Sequence, residues 1–143
     1  MFRRWIEKWT AFFSRSPDRR TSRRKTGDRG EKAAADFYTA SGYRILARNW
    51  RSGRDEIDLV VLTPDGRMPV FVEVKTRREN DPRGGYFAVG GQKKSALRRA
   101  VRAYLRTAVL KNTPFRFDIA EVREDSSGTL RVIHHCAVPL FTK

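Results

Sequence analysis

The stretch from Asp55 to Arg77 constrains the fold more than any other part of the chain. Two runs rich in Val, Ile and Phe, Asp55 to Leu62 and Pro69 to Arg77, flank a Thr63-Pro64-Asp65-Gly66 segment. Proline presets φ and glycine tolerates positive φ, so the whole reads as a β-hairpin. Charged residues interrupt these apolar runs: Asp58 on the first strand, Glu73 and Lys75 on the second. Ionisable groups among core-forming neighbours need a reason. Side chains alternate faces along a strand, so Glu73 and Lys75 point the same way, as do Glu56 and Asp58. Residues directly opposite in an antiparallel pair share a face. Pairing Asp58 with Glu73, or any register of the same parity, therefore brings Asp58, Glu73 and Lys75 together, and a one-residue slip separates them.

The 143 residues suffice for one domain with a core. Lys and Arg number 31 against 16 Asp and Glu, a formal net charge of +15, which points to a polyanionic partner, nucleic acid or an anionic membrane surface. A single cysteine, Cys136, excludes an internal disulfide. A reducing cytoplasm is the expected setting, and neither a membrane span nor an apolar signal region is expected.

Residues 1–26 form a basic aromatic extension, with nine Lys or Arg against Glu7 and Asp18 in the first 25 positions. Phe2, Trp5, Ile6, Trp9, Phe12 and Phe13 fall near helical spacing, so a short amphipathic helix ending at Ser16-Pro17 is expected, followed by a disordered basic linker. A solvated extension, a DNA-gripping arm and a minor membrane-surface contact stay open for it, and its composition also resembles an organelle transit peptide.

Residues 27–143 form the expected folded domain. A first helix starts near Thr26 or Asp28 and ends at Gly42, with Glu31, Ala34, Ala35 and Tyr38 on one face. Tyr43 to Asn49 reads as a strand and Trp50 to Arg54 as a basic turn before the hairpin. Arg78 to Gly91 is a Gly-rich loop long enough to arch over the site. Lys93 to Leu110 is an amphipathic helix whose cations, Lys93, Lys94, Arg98, Arg99, Arg102 and Arg106, make either a phosphate-facing surface or a solvated face. Pro114 to Val122 and Thr129 to Val138 read as a closing pair of strands. His134, His135 and Cys136 are adjacent, alternate in direction, and are expected not to converge on a metal.

Two carboxylates and a lysine on one strand face admit two readings that spacing leaves level. One is an ordinary cross-strand ion pair, worth little if exposed. The other is a site for a hard divalent cation that polarises a phosphodiester and activates water, with Lys75 stabilising developing negative charge.

The motifs Gly30-Glu31-x-x-Ala34, Glu56-Ile57-Asp58-Leu59-Val60, Val70-Phe71-Val72-Glu73-Val74-Lys75-Thr76-Arg77 and Arg116-Phe117-Asp118, in this order, closely resemble the YraN-like uncharacterised protein family over about residues 27–138. That family is similar to the restriction-endonuclease-like, or PD-(D/E)xK, superfamily and to archaeal Holliday junction resolvases. The resemblance implies an α/β fold, a central mixed sheet flanked by helices in the order α-β-β-β-α-β-β. It implies Asp58 and Glu73 as ligands of Mg²⁺ or Mn²⁺, Lys75 as the motif lysine and Glu31 as an additional acidic residue. Gln92 or Lys93 matches a further substrate-contacting position. Ile57 stands where the superfamily's name has proline, and Asp55 where the family pattern usually has glycine. By analogy with resolvases a homodimer is expected. Two functions of different class follow: a Mg²⁺-dependent nuclease acting on DNA, branched or damaged DNA included, and a non-catalytic nucleic-acid-binding protein that retains the nuclease fold.

Overall fold

The computed structural model describes residues 22–82, 91–108 and 110–141. The expected helix and linker in residues 1–21 and the central part of the expected arching loop, residues 83–90, lie outside them. Two helices and five strands follow one another as α1 (Ser22–Ala40), β1 (Arg44–Ser52), β2 (Asp55–Leu62), β3 (Pro69–Arg78), α2 (Gly91–Thr107), β4 (Arg116–Glu124) and β5 (Leu130–His135). This is the expected α-β-β-β-α-β-β order in a mixed α/β fold. The strands form one sheet in sequence order. Every neighbouring pair is antiparallel except β3 and β4, which run parallel because α2 carries the chain back across the sheet.

Each helix covers one face. Ala34, Ala35 and Tyr38 of α1 are fully buried against Leu59, Val61, Val70, Val72, Ala120 and Val122. On the other face Leu97, Ala100, Val101 and Tyr104 of α2 pack on Val60, Phe71, Phe117 and Ile119. The alternation along β3 is strict. Val70, Val72 and Val74 face α1 while Phe71 faces α2, so Glu73 and Lys75 project to the α2 side.

Several element boundaries differ from the sequence expectation. α1 begins at Ser22 rather than near Thr26 or Asp28. β1 extends through Trp50 and Arg51, placed in a turn by the sequence reading, because Trp50 is an anchor of the α2-side core and stacks edge-on with Tyr104, centroids 5.2 Å apart. The β2–β3 turn forms as its residues dictate: Gly66 takes φ 72° and donates its N–H to the Thr63 carbonyl at 2.8 Å. Among the described residues no helix is long and apolar enough to cross a membrane.

Candidate metal centre and the buried carboxylates

The hairpin ladder pairs Leu62 with Pro69, Val61 with Val70, Val60 with Phe71 and Leu59 with Val72. The register would next place Asp58 opposite Glu73, but the ladder stops there. Instead the Asp58 side chain replaces a backbone acceptor: its Oδ2 takes the Val74 N–H at 2.7 Å. The opposite side of β2 is disturbed at the same point. β1 pairs Arg48 with Leu59 and Trp50 with Ile57 but passes over Asn49 and Asp58. Asn49 has φ 48°, a left-handed conformation that asparagine tolerates better than most residues. The kink reverses the alternation. Trp50 and Ile57 pack toward α2, where strict alternation from Ala47 and Leu59 would turn them the other way. Asp58 thus sits where β2 lets go of both neighbours.

Glu73 is buried, its side chain 3% exposed. Two ammonium groups reach its Oε1, Lys75 Nζ at 3.0 Å and Lys93 Nζ, from the first turn of α2, at 3.2 Å. Glu73 Oε2 is buried with no hydrogen-bond partner. Glu121 Oε1 also lacks a hydrogen bond but lies in ion-pair contact with Arg123. Glu73 Oε2 is therefore the more severe orphan, and a buried polar atom left so calls for an explanation.

The electrostatics follow from this crowding. Burial first, and then the Glu73 charge, push the Asp58 carboxyl up to about 7, against the Val74 N–H that favours its ionised form. Burial likewise raises Glu31, opposed by a hydrogen bond from Asn49 and reinforced by Asp28, Glu56 and Glu73. Burial alone would lower the Lys93 ammonium, but Glu73, Asp58 and Glu56 hold it above its usual value. Glu31, Asp58 and Glu73 therefore feel one another, with Lys75 and Lys93 on Glu73. Their oxygens do not, however, close to within 4.8 Å as a trio.

Glu31 reaches this point because of the residue before it. A β-carbon at Gly30 would overlap Thr76 Oγ1 and stand within 3.3 Å of the other Thr76 side-chain carbons. Only glycine lets α1 approach β3 this closely, carrying Glu31 to the open end of the split strands. Asn49 and Lys93 complete the constellation. Sequence reasoning ended a strand at Asn49 and assigned Lys93 to phosphate binding; the signal for Asn49 was a polar, turn-favouring residue inside a strand pattern.

The remaining predicted cations of α2 are largely engaged within the fold. Arg99 makes a two-pronged pair with Asp55, both contacts 2.8 Å. Arg98 donates to the Leu140 carbonyl at 2.5 Å, and Arg102 lies over the Phe141 ring, 5.2 Å from its centroid. Lys94 and Arg106 have no ion pair or hydrogen bond among the described residues. Gln92 lies at the start of α2, in the second position of the helix.

A second carboxylate cluster lies on the α1 side. Asp118 is fully buried and accepts from Arg116 Nε and Nη2 at 2.8 Å each, from the Ala137 N–H at 3.0 Å and from the Tyr38 hydroxyl at 3.3 Å, with His134 Nε2 at 2.7 Å. Burial would raise its carboxyl, but Arg116, Ala137 and His134 together hold it below the ordinary value. His134 and Cys136, two residues apart, converge with Asp118, and ligand atoms of all three lie within 4.8 Å, a group able to hold a metal ion. This corrects the expectation for that segment: the adjacent trio diverges, since His135 turns to Glu121 at 2.9 Å, but alternate members meet and β4 supplies the third group. Arg116 already occupies the Asp118 carboxylate from both oxygens.

The model of the Uncharacterised protein family UPF0102 matches residues 30–122. A UPF0102 protein of Symbiobacterium thermophilum is 46% identical over 108 residues, covering 76% of this chain and 90% of that protein. One of Pelobacter propionicus is 36% identical over 121 residues, covering 85% and 86%. Among solved structures, that of Pyrococcus furiosus SfsA in complex with Ca²⁺ aligns with 17% identity and a TM-score of 0.39, over 81% of this chain and 64% of that one. That likeness is too slight to build on.

Proposed function

Since the chain belongs to the Uncharacterised protein family UPF0102, the family its motifs resemble, we propose that it is a divalent-metal-dependent nuclease acting on DNA. The observation that carries this reading is the frustrated pair at the split strands. Asp58 is pushed up to about 7 facing Glu73, whose Oε2 is buried without a partner. A carboxylate pair with one member buried and the other half-buried, so poorly satisfied, is costly unless a cation completes it. Hard oxygen donors, two from protein and the remainder from water and substrate phosphate, suit Mg²⁺ or Mn²⁺. Asp58 and Glu73 are the residues to hold such an ion, with Glu31 beside them. When bound, the ion supplies Lewis-acid polarisation of the phosphodiester and acidification of a water.

The other roles fall to the chain's own groups. Lys75, tethered to Glu73 at 3.0 Å, is placed to stabilise negative charge developing on a phosphate oxygen. Glu31, its carboxyl raised above its ordinary value by burial, would act as a proton acceptor beside the metal. Asn49 orients it. The folded region from residue 27 onward is proposed to carry this chemistry.

Purified full-length protein with Mg²⁺ or Mn²⁺ is expected to nick DNA, and Asp58→Ala or Lys75→Ala to reduce the rate by at least about 10³-fold while DNA binding persists. Cleavage unchanged by both substitutions rejects the proposal. A second reading, a nucleic-acid-binding protein without catalysis, is favoured by two observations: Lys75 and Lys93 already neutralise Glu73, and the three carboxylates do not close to ligand distance as a trio. It predicts steeply salt-dependent binding with no metal requirement.

A further inference from the structure

We propose that the trough between the β1–β2 turn and the first two turns of α2 binds an unpaired stretch of nucleic acid leading into the acidic centre. The proposal rests on the nucleic-acid reading above. It names the form of substrate: a strand that leaves a duplex, as at a tail, flap or branch.

Two clefts meet at Arg54. One, of about 540 Å³, is lined by Arg54, Gln92, Ser95 and Arg99 with Gly91. The other, of about 450 Å³, runs from Arg54 past Arg51 and Glu56 to Lys93, over Ala96 and Leu97. Lys93 ties this inner end to Glu73, at 3.2 Å. Each cleft has the volume of a small-ligand site, room for about one nucleotide. A double helix, whose major groove alone is about 12 Å wide, does not enter such a space.

The chemistry of the walls matches a nucleotide. Most of the cations are neutralised in place: Arg51 by Glu56 at 3.1 Å, Arg99 by Asp55 and Lys93 by Glu73. Arg54 is exposed and makes no ion pair or hydrogen bond among the described residues. It stands at the junction, where a strand threading both clefts must place a phosphate, and a guanidinium recognises a phosphate with two parallel N–H donors. Gln92 and Ser95 offer donors and acceptors beside it. Ala96, with Leu97 buried beneath it, gives the inner cleft an apolar point of contact for a base face. The outward face of α2, by contrast, has Arg98 and Arg102 engaged within the fold.

The test is fluorescence anisotropy of full-length protein in EDTA at ~150 mM salt, with a blunt duplex and the same duplex carrying a single-stranded tail. Wild type is expected to bind the tailed duplex more tightly. Arg54→Glu should weaken tailed binding roughly tenfold, about 1.4 kcal/mol, without weakening blunt binding or changing the melting temperature, and Arg54→Gln should fall between. Arg106→Glu, on the helix but outside both clefts, should weaken both ligands alike. No tail preference in wild type, or equal weakening of both ligands by Arg54→Glu, overturns the proposal. Because metal and cleavage are absent, Asp58→Asn is expected to keep the preference. In a separate assay with Mg²⁺, absence of cleavage by the wild type with the preference intact removes the nuclease and leaves the trough, whereas wild-type cleavage without the preference removes the trough alone.

Discussion

Two carboxylates, the fully buried Asp118 and the half-buried Asp58, sit on strands of the same sheet and meet opposite fates. Asp118 is wrapped by a bidentate arginine, a histidine, a tyrosine hydroxyl and a backbone N–H, and its carboxyl is held below the ordinary value. Asp58 has one backbone N–H, a like-charged neighbour and a carboxyl pushed up to about 7. Both are withdrawn from water, Asp118 fully and Asp58 in part. What differs is completion: the first set of hydrogen bonds is closed by the protein, and the second is left open where β2 parts from β3 and skips one pairing with β1. A closed network joins α1, β4 and the chain after β5, and reads as structure. An open one at a strand split reads as a place for something the protein does not itself supply.

The difference can be broken from either side. Asp118→Ala leaves Arg116 and His134 without their partner in the core and should cost about 3 to 5 kcal/mol. A fall of roughly ten degrees or more in melting temperature is the expected reading, and a fall of only a degree or two would mean that the network holds little together. Asp58→Asn should act in the opposite direction and more weakly. The Asp58 carboxyl is higher in the folded chain than its usual 3.8, so the fold binds this proton more tightly than the unfolded chain does. The stability that proton confers is complete below about pH 4 and is lost as pH rises through about 7. Asparagine keeps an acceptor for Val74 N–H and carries no such penalty. At pH 8 it should raise stability by about 1 to 3 kcal/mol and flatten the dependence between those limits, measured by denaturant unfolding at several pH values. In the same experiment Mg²⁺ should stabilise wild type more at pH 8 than at pH 6, and Asp58→Asn hardly at all. Identical pH profiles for the two chains would remove the electrostatic contrast.

The hairpin was legible because its information is local. Pro64 and Gly66 mark the turn, period-two alternation assigns the faces, and parity then brings Asp58, Glu73 and Lys75 to one end. The helices were legible from their apolar stripes, although the first begins at Ser22, earlier than its capping residues suggested. Asn49 was not, because a left-handed residue within a strand reverses faces without any change in composition. Nor was the Asp118 network, which draws on residues 80 positions apart, Tyr38 and Asp118, and appears in sequence only as isolated polar residues. The reading of His134 to Cys136 was right that the adjacent trio diverges but missed the Asp118 group for a related reason: it weighed neighbours along one strand and not the adjacent strand that supplies the third member. Lys93 looked like one more cation on a basic helix, and its attachment to Glu73 depends on how α2 lies across the sheet.

The contact between Gly30 and Thr76 has a genetic consequence. The severe overlap is with Thr76 Oγ1, whereas Thr76 Cβ, 3.0 Å from where a β-carbon at Gly30 would stand, is a tight contact that a shift of a few tenths of an ångström relieves. Gly30→Ala should therefore abolish activity alone and recover in part with Thr76→Ala. Selection for suppressors of Gly30→Ala, scored by cleavage, would be expected to return changes at position 76 or reversion at position 30. The two positions behave as one inherited character, written in separate motifs and expressed as the spacing between a helix and a strand.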